Sequence, residues 1–134
     1  MTDQELLLLA EQARENAYAP YSRFLVGAAL LAADGRVFLG ANVENASFGA
    51  TNCAERSAIF AAVSAGVRDF VAIAICGAKQ GGRGTICTPC GICRQVLSEF
   101  CNSKLRVLLG NSEEYREYTL AELLPHSFGD EVKA

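Results

Sequence analysis

FLVGAALLAADGRVFLGANV, residues 24–43, reads as two apolar runs joined by a turn. Phe24 to Leu31 is the first run and Val37 to Val43 the second. Ala33, Asp34, Gly35 and Arg36 between them include the small and polar residues that tight turns favour. This predicts a β-hairpin, so the sheet that contains it has at least one antiparallel pair.

The flanks extend the pattern. Thr2 followed three residues later by Glu5 has the form of a capping box, and Glu5 to Ala17 reads as a helix that APYS at 19–22 breaks. Leu6, Leu9, Ala10, Ala13 and Ala17 make one stripe; Leu7 and Leu8 fall outside it, which suits either core burial or contact with another subunit. Downstream, Asn52 to Ala65 reads as a helix capped by Asn52 and ended by Gly66, and Phe70 to Cys76 as a buried strand. Pro89 to Phe100 reads as a helix with Thr88 as cap and Pro89 in its first turn, Leu105 to Leu109 as a strand, and Thr119 to Leu124 as a short helical segment. Helix, hairpin, helix, strand, helix, strand describes a layered α/β domain with a mixed sheet. GAKQGGRGT at 77–85 lacks the Gly-Lys-Ser/Thr ending of a phosphate loop and reads as a flexible connection.

The chain has 134 residues, 51% hydrophobic and 20% charged, which suits one domain spanning 1–134. A formal net charge of −3 offers no basic stripe for phosphates, so a small molecule is a better expected partner than nucleic acid. The apolar run Leu6 to Ala10 is too short to span a bilayer and follows Asp3 and Glu5, so no membrane association and a cytoplasmic location are expected. In that compartment clustered cysteines bind metal or do chemistry more often than they crosslink.

Three of the six cysteines sit in CTPCGIC at 87–93. A ferredoxin-type cluster would want a fourth cysteine at 97, where the chain has Leu97. For zinc, Cys90 and Cys93 lie three apart on one helical face, and Cys53 in NCAE opens another helix. Positive helix N-termini would favour thiolates at both places. Glu55 distinguishes a catalyst from a structural plug: alone it could complete a capping box with Asn52. Coupled to PCxxC downstream, a glutamate two residues after a ligand is the signature of zinc nucleobase deaminases.

Five blocks, YAPYSRFLVGAAL at 18–30, NVENASF at 42–48, CAERSA at 53–58, PCGICRQ at 89–95 and LLPHSF at 123–128, resemble those of the small homotetrameric cytidine deaminases. The resemblance implies a three-layer α/β fold with a mixed five-stranded sheet flanked by helices. It implies zinc on Cys53, Cys90 and Cys93, Glu55 as proton shuttle, and hydrolytic deamination of cytidine or 2′-deoxycytidine in pyrimidine salvage. Phe24 would stack near the nucleoside, Asn42 and Glu44 would bond the ribose hydroxyls, and the Ala54 backbone would hold the base. Ala46, Phe48 and Phe128 join the implied substrate contacts, with Phe128 reaching into a neighbouring subunit. Arg56 would point at the thiolates and withdraw charge from them.

The chain departs from the family at Phe48, often Tyr, and at Thr51, where some relatives carry cysteine. Two other readings remain: a blasticidin-type deaminase, which shares both metal motifs, and a non-enzymatic zinc domain in which Cys87 closes a four-cysteine shell. Roles for Cys76 and Cys101 do not emerge from the sequence.

Overall fold

The computed structural model describes residues 1–132. Its sheet has five strands in the order β2-β1-β3-β4-β5, with β1 at Phe24–Ala32, β2 at Val37–Ala41, β3 at Phe70–Lys79, β4 at Arg106–Gly110 and β5 at Tyr115–Thr119. The hairpin forms as expected, with Ala29 opposite Leu39. β1 also pairs antiparallel with β3, β3 pairs parallel with β4, and β4 antiparallel with β5, so the sheet is mixed.

Side-chain alternation splits the core into two layers. Ala28, Leu30, Ile73, Ile75, Val107 and Leu109 face one way, toward Ala58, Ile59 and Ala62 of α2 (Ala54–Ser64) and Leu97 of α3 (Gly91–Phe100). Ala29, Ala72, Ala74, Cys76 and Leu108 face the other way, toward Leu6, Leu7 and Ala10 of α1 (Asp3–Arg14). Helices on both faces explain why the inner strands read as near-continuous apolar runs. Leu7, left outside the sequence stripe, is fully buried in this second layer, whereas Leu8 is exposed.

Several boundaries differ from expectation. α1 starts at Asp3 with the Thr2–Glu5 box intact and ends at Arg14. The five strands agree with the sheet that the family resemblance implies, but the sequence pattern does not locate β5, because its burial is partial and RE at 116–117 hides its period; the signal is Asn111, whose Oδ1 accepts from the backbone of Glu113 and Glu114. α4 (Leu120–Leu123) follows directly, with a capping box between Thr119 and Glu122. The segment expected as a flexible connection is tied down instead. β3 runs on to Lys79, Arg14 donates to the Gly82 carbonyl at 2.6 Å, and Thr85 donates to the Gly77 carbonyl at 3.1 Å.

Two helices approach the sheet where side chains are missing. A Cβ at Gly27 would lie 2.0 Å from the Ala10 carbonyl oxygen of α1, and one at Gly40 would lie 2.3 Å from that of Ala54 in α2. Gly40 therefore lets the first turn of α2 rest directly on β2. Both contacts are with backbone, which cannot swing aside. Gly40→Ala should lower stability by about 1–3 kcal/mol, the usual cost of overpacking, as read by urea unfolding; an unchanged midpoint would contradict this packing account.

Candidate active site

The N-termini of α2 and α3 converge beside the end of β3. Their N-caps are Cys53 and Cys90 themselves. Asn52 does not cap α2: its Nδ2 donates to Ser57 Oγ at 3.1 Å, and its backbone bridges Val43. Likewise Thr88 and Pro89 precede the cap of α3, and Cys90 Sγ accepts from the Cys93 N–H at 3.5 Å. With Cys53 at the cap, the third helical residue is Arg56, so Glu55 stands out of register for a capping box.

Cys53, Cys90 and Cys93 place their Sγ atoms within 4.8 Å of one another. Cys53 and Cys90 are 3.8 Å apart, Cys90 and Cys93 3.4 Å. Sulfurs bound tetrahedrally at about 2.3 Å from zinc stand about 3.8 Å apart, so the donor set fits that ion, with a fourth position left open. Among the described residues no other group of histidine, cysteine or acidic side chains meets the same spacing. Cys87 stays outside it, which argues against a closed four-cysteine shell.

Arg56 donates from Nη2 to Cys53 Sγ at 3.2 Å, while its Nε is buried without a hydrogen-bond partner. Hydrogen bonds from Cys93 and Arg56 bring the Cys53 thiol down to about 5 against the effect of burial. Cys93, as donor to Cys53 and buried, is pushed up. Burial works against the Arg56 charge, but its bonds to Cys53 and Cys93 prevail and hold the guanidinium protonated.

Glu55 is 4% exposed. Burial pushes its carboxyl up to about 7, its own backbone N–H working the other way. It lines a cavity of about 260 Å³ together with Phe24, Val26, Asn42, Glu44, Ala54 and the two cap cysteines. Ser22, Thr51, Asn52, Cys87 and Thr88 complete the wall, and none of these was singled out as a contact from the sequence. Only the fold brings them in, from three separate loops.

Asn42 is held by β1: Oδ1 accepts from the Val26 N–H at 2.8 Å and Nδ2 donates to the Phe24 carbonyl at 2.8 Å. Glu44 Oε1 accepts from the backbone of Tyr21 at 2.9 Å and Ser22 at 3.1 Å, and Oε2 accepts from Ser22 Oγ. The Ser22 hydroxyl, followed by these backbone donors, holds the Glu44 carboxyl below the usual range although burial opposes it. Ala46, Phe48 and Phe128 lie off the cavity wall, and Phe48 and Phe128 are 75% and 62% exposed. Gln95 Nε2 donates to the Phe128 carbonyl at 2.9 Å, which fixes the backbone there while leaving the ring outward.

The model of the cytidine and deoxycytidylate deaminase zinc-binding region matches residues 1–109. This chain belongs to that family. It is 54% identical over 129 residues to the cytidine deaminase of Halalkalibacterium halodurans, covering 96% of this chain and 95% of that one. It is 48% identical over 132 residues to that of Sporosarcina psychrophila, covering 98% and 94%. The crystal structure of cytidine deaminase from Burkholderia pseudomallei, 49% identical, matches with a TM-score of 0.88 across 96% of this chain and 100% of that one. Zinc is accordingly the cofactor of this deaminase-family site.

Metal content should follow the sulfur geometry. Cys53→Ala and Cys93→Ala should each lower zinc per chain at least tenfold under mild chelation, whereas Cys87→Ser should keep it. Elemental analysis after dialysis checks this, and zinc lost from the Cys87 variant would restore the four-cysteine alternative.

Proposed function

We propose that this chain hydrolyses cytidine and 2′-deoxycytidine to uridine and 2′-deoxyuridine with release of ammonia, and that residues 1–134 form one catalytic domain. The observation that carries this reading is a buried glutamate beside a three-sulfur group, the glutamate and two of the sulfur residues, Cys53 and Cys90, lining a cavity that also holds an aromatic ring and two sugar-binding candidates. Bound zinc supplies a Lewis acid that lets water act as a nucleophile near neutral pH.

Glu55 then does the proton work. Its carboxylate takes a proton from the attacking water and delivers it to ring N3 as the water oxygen adds to C4. It passes the second proton to the amino group, the C4–N4 bond breaks, and ammonia leaves. A carboxyl held at about 7 is matched to giving and taking protons near neutrality. Arg56 draws charge from the thiolates through its bond to Cys53, which sustains the acidity of the metal.

Phe24 stacks on the base and the Ala54 backbone orients it. Asn42 and Glu44 hold the ribose hydroxyls. An ionised carboxylate has about four acceptor positions, and Glu44 already fills three, so one remains for a sugar hydroxyl. Asn42 likewise keeps a second N–H and a second lone pair free.

Ala46, Phe48 and Phe128 take part once the chain assembles into a homotetramer with shared sites. Supporting this, Tyr21, Phe48, Ile92 and Phe128 are large apolar side chains left exposed, and Tyr21 and Phe48 pack edge to face at 5.8 Å. A cytoplasmic location agrees with a chain whose six cysteines, all among the described residues, form no disulfide. No described helix is long and apolar enough to cross a membrane.

Loss of cytidine absorbance, followed with zinc content, tests the chemistry. Glu55→Gln should retain zinc and lose at least a thousandfold in kcat, and Arg56→Gln should retain zinc with a smaller loss, about tenfold; full activity in the Glu55 variant would sink the reading. Truncation after Pro125 should cost at least tenfold in kcat/KM. A shortened chain that stays fully active, or a native mass of one subunit in the active enzyme, would count against shared sites.

A further inference from the structure

Cys87 lines the cavity yet contributes nothing to the sulfur group. Its seat is Gly77 on β3. A Cβ built at Gly77 would lie 2.8 Å from Cys87 Sγ and 3.1 Å from Phe24 Cε1, so thiol and ring rest side by side on bare backbone. Together they form a continuous apolar wall, since a free buried cysteine behaves as a small hydrophobe.

The cavity has two rims. Asn52, Cys53, Ala54 and Glu55 form one, at the start of α2; Cys87, Thr88 and Cys90 form the other, on the approach to α3, and the sulfur group joins them. A cytosine with N3 toward Glu55, C4 toward the sulfurs and N1 toward Asn42 and Glu44 keeps its C2 carbonyl, between N3 and N1, on the side of the first rim and turns its C5–C6 edge the other way. That edge lies across the ring from N3, and so falls against the second rim.

We propose that Cys87 faces C5 of the pyrimidine and sets which 5-substituted cytosines the site accepts, with Gly77 as the positioning residue that lets the thiol stand back from the cavity. This rests on the deaminase reading above, because it takes the placement of N3 from Glu55. In an apolar pocket a change of one methylene-sized group alters discrimination by about tenfold to two-hundredfold. Cys87→Ala removes the sulfur and opens space for a 5-methyl group. Gly77→Ala acts in the opposite sense: a Cβ there would crowd Cys87 Sγ at 2.8 Å, Cys87 Cβ at 3.0 Å and Phe24 Cε1 at 3.1 Å from the strand side, which leaves less room on the cavity side of the thiol.

The measurement is the ratio of kcat/KM for 5-methylcytidine to that for cytidine, taken on the zinc-loaded wild type, Cys87→Ala, Gly77→Ala and Cys87→Met. A ratio cancels any loss common to both substrates. It should rise at least fivefold in Cys87→Ala and fall at least fivefold in Gly77→Ala and Cys87→Met. Competitive inhibition by 5-methyluridine relative to uridine should move in the same directions, which reads binding without turnover. A ratio within twofold of wild type in Cys87→Ala, or shifts of the same sign in the opening and filling variants, would overturn the proposal while leaving the deaminase reading intact. No turnover of cytidine by the zinc-loaded wild type would overturn both.

Discussion

Three thiolates around one divalent ion leave a net negative charge, and the molecule is built to offset it. Both helices that bring sulfur to the site do so at their N-caps, where unpaired N–H groups place partial positive charge. A guanidinium on the first turn of α2 adds a full charge at 3.2 Å from one sulfur. All three sources act in the same direction, favouring thiolate over thiol at the sulfur group.

The sheet makes that convergence possible. β3 ends at Lys79, opposite the start of β1 at Phe24, and the parallel step from β3 to β4 requires a crossover, which α3 provides. α3 therefore begins on the side where β3 stops. α2 enters from the end of β2, and because Gly40 presents no side chain its first turn lies directly against the sheet. Two helix starts, one strand end and one strand beginning meet there, so ligands of the metal and residues of the cavity come from four points of the chain.

Much of this was legible in the sequence, and the lapses share a cause. The hairpin declared itself because both runs and their turn are contiguous, and the Cys53, Glu55, Cys90, Cys93 set because its residue types are chemically unusual. The cap positions were misplaced by one or two residues at both helices. Propensity favours Asn52 and Thr88, but the sulfurs are held by their partners in space, and a residue fixed by long-range contacts overrides a local preference of about 1 kcal/mol. β5 escaped for a related reason. As a partly exposed edge strand it is defined by its pairing with β4, from Arg106 opposite Thr119 to Gly110 opposite Tyr115, and not by an apolar period of its own.

Glu44 shows how far a single role assignment can fall short. From the sequence it is a sugar-hydroxyl acceptor; in the fold it is first a staple, drawing Tyr21 and Ser22 onto the end of the β2 segment. Tyr21 in turn packs its ring against Phe48, and Ser22 bridges to Phe24 through its hydroxyl, which accepts from the Phe24 N–H at 3.0 Å. Under the proposed function, a sugar hydroxyl on the last acceptor position of Glu44 would add to a network that already ties down the Phe24 backbone and the Tyr21–Phe48 ring pair. Glu44, Tyr21, Ser22, Phe24 and Phe48 are thus joined in one connected unit. The loop is ordered by its own hydrogen bonds, so a ligand bound there would not spend binding energy on ordering it.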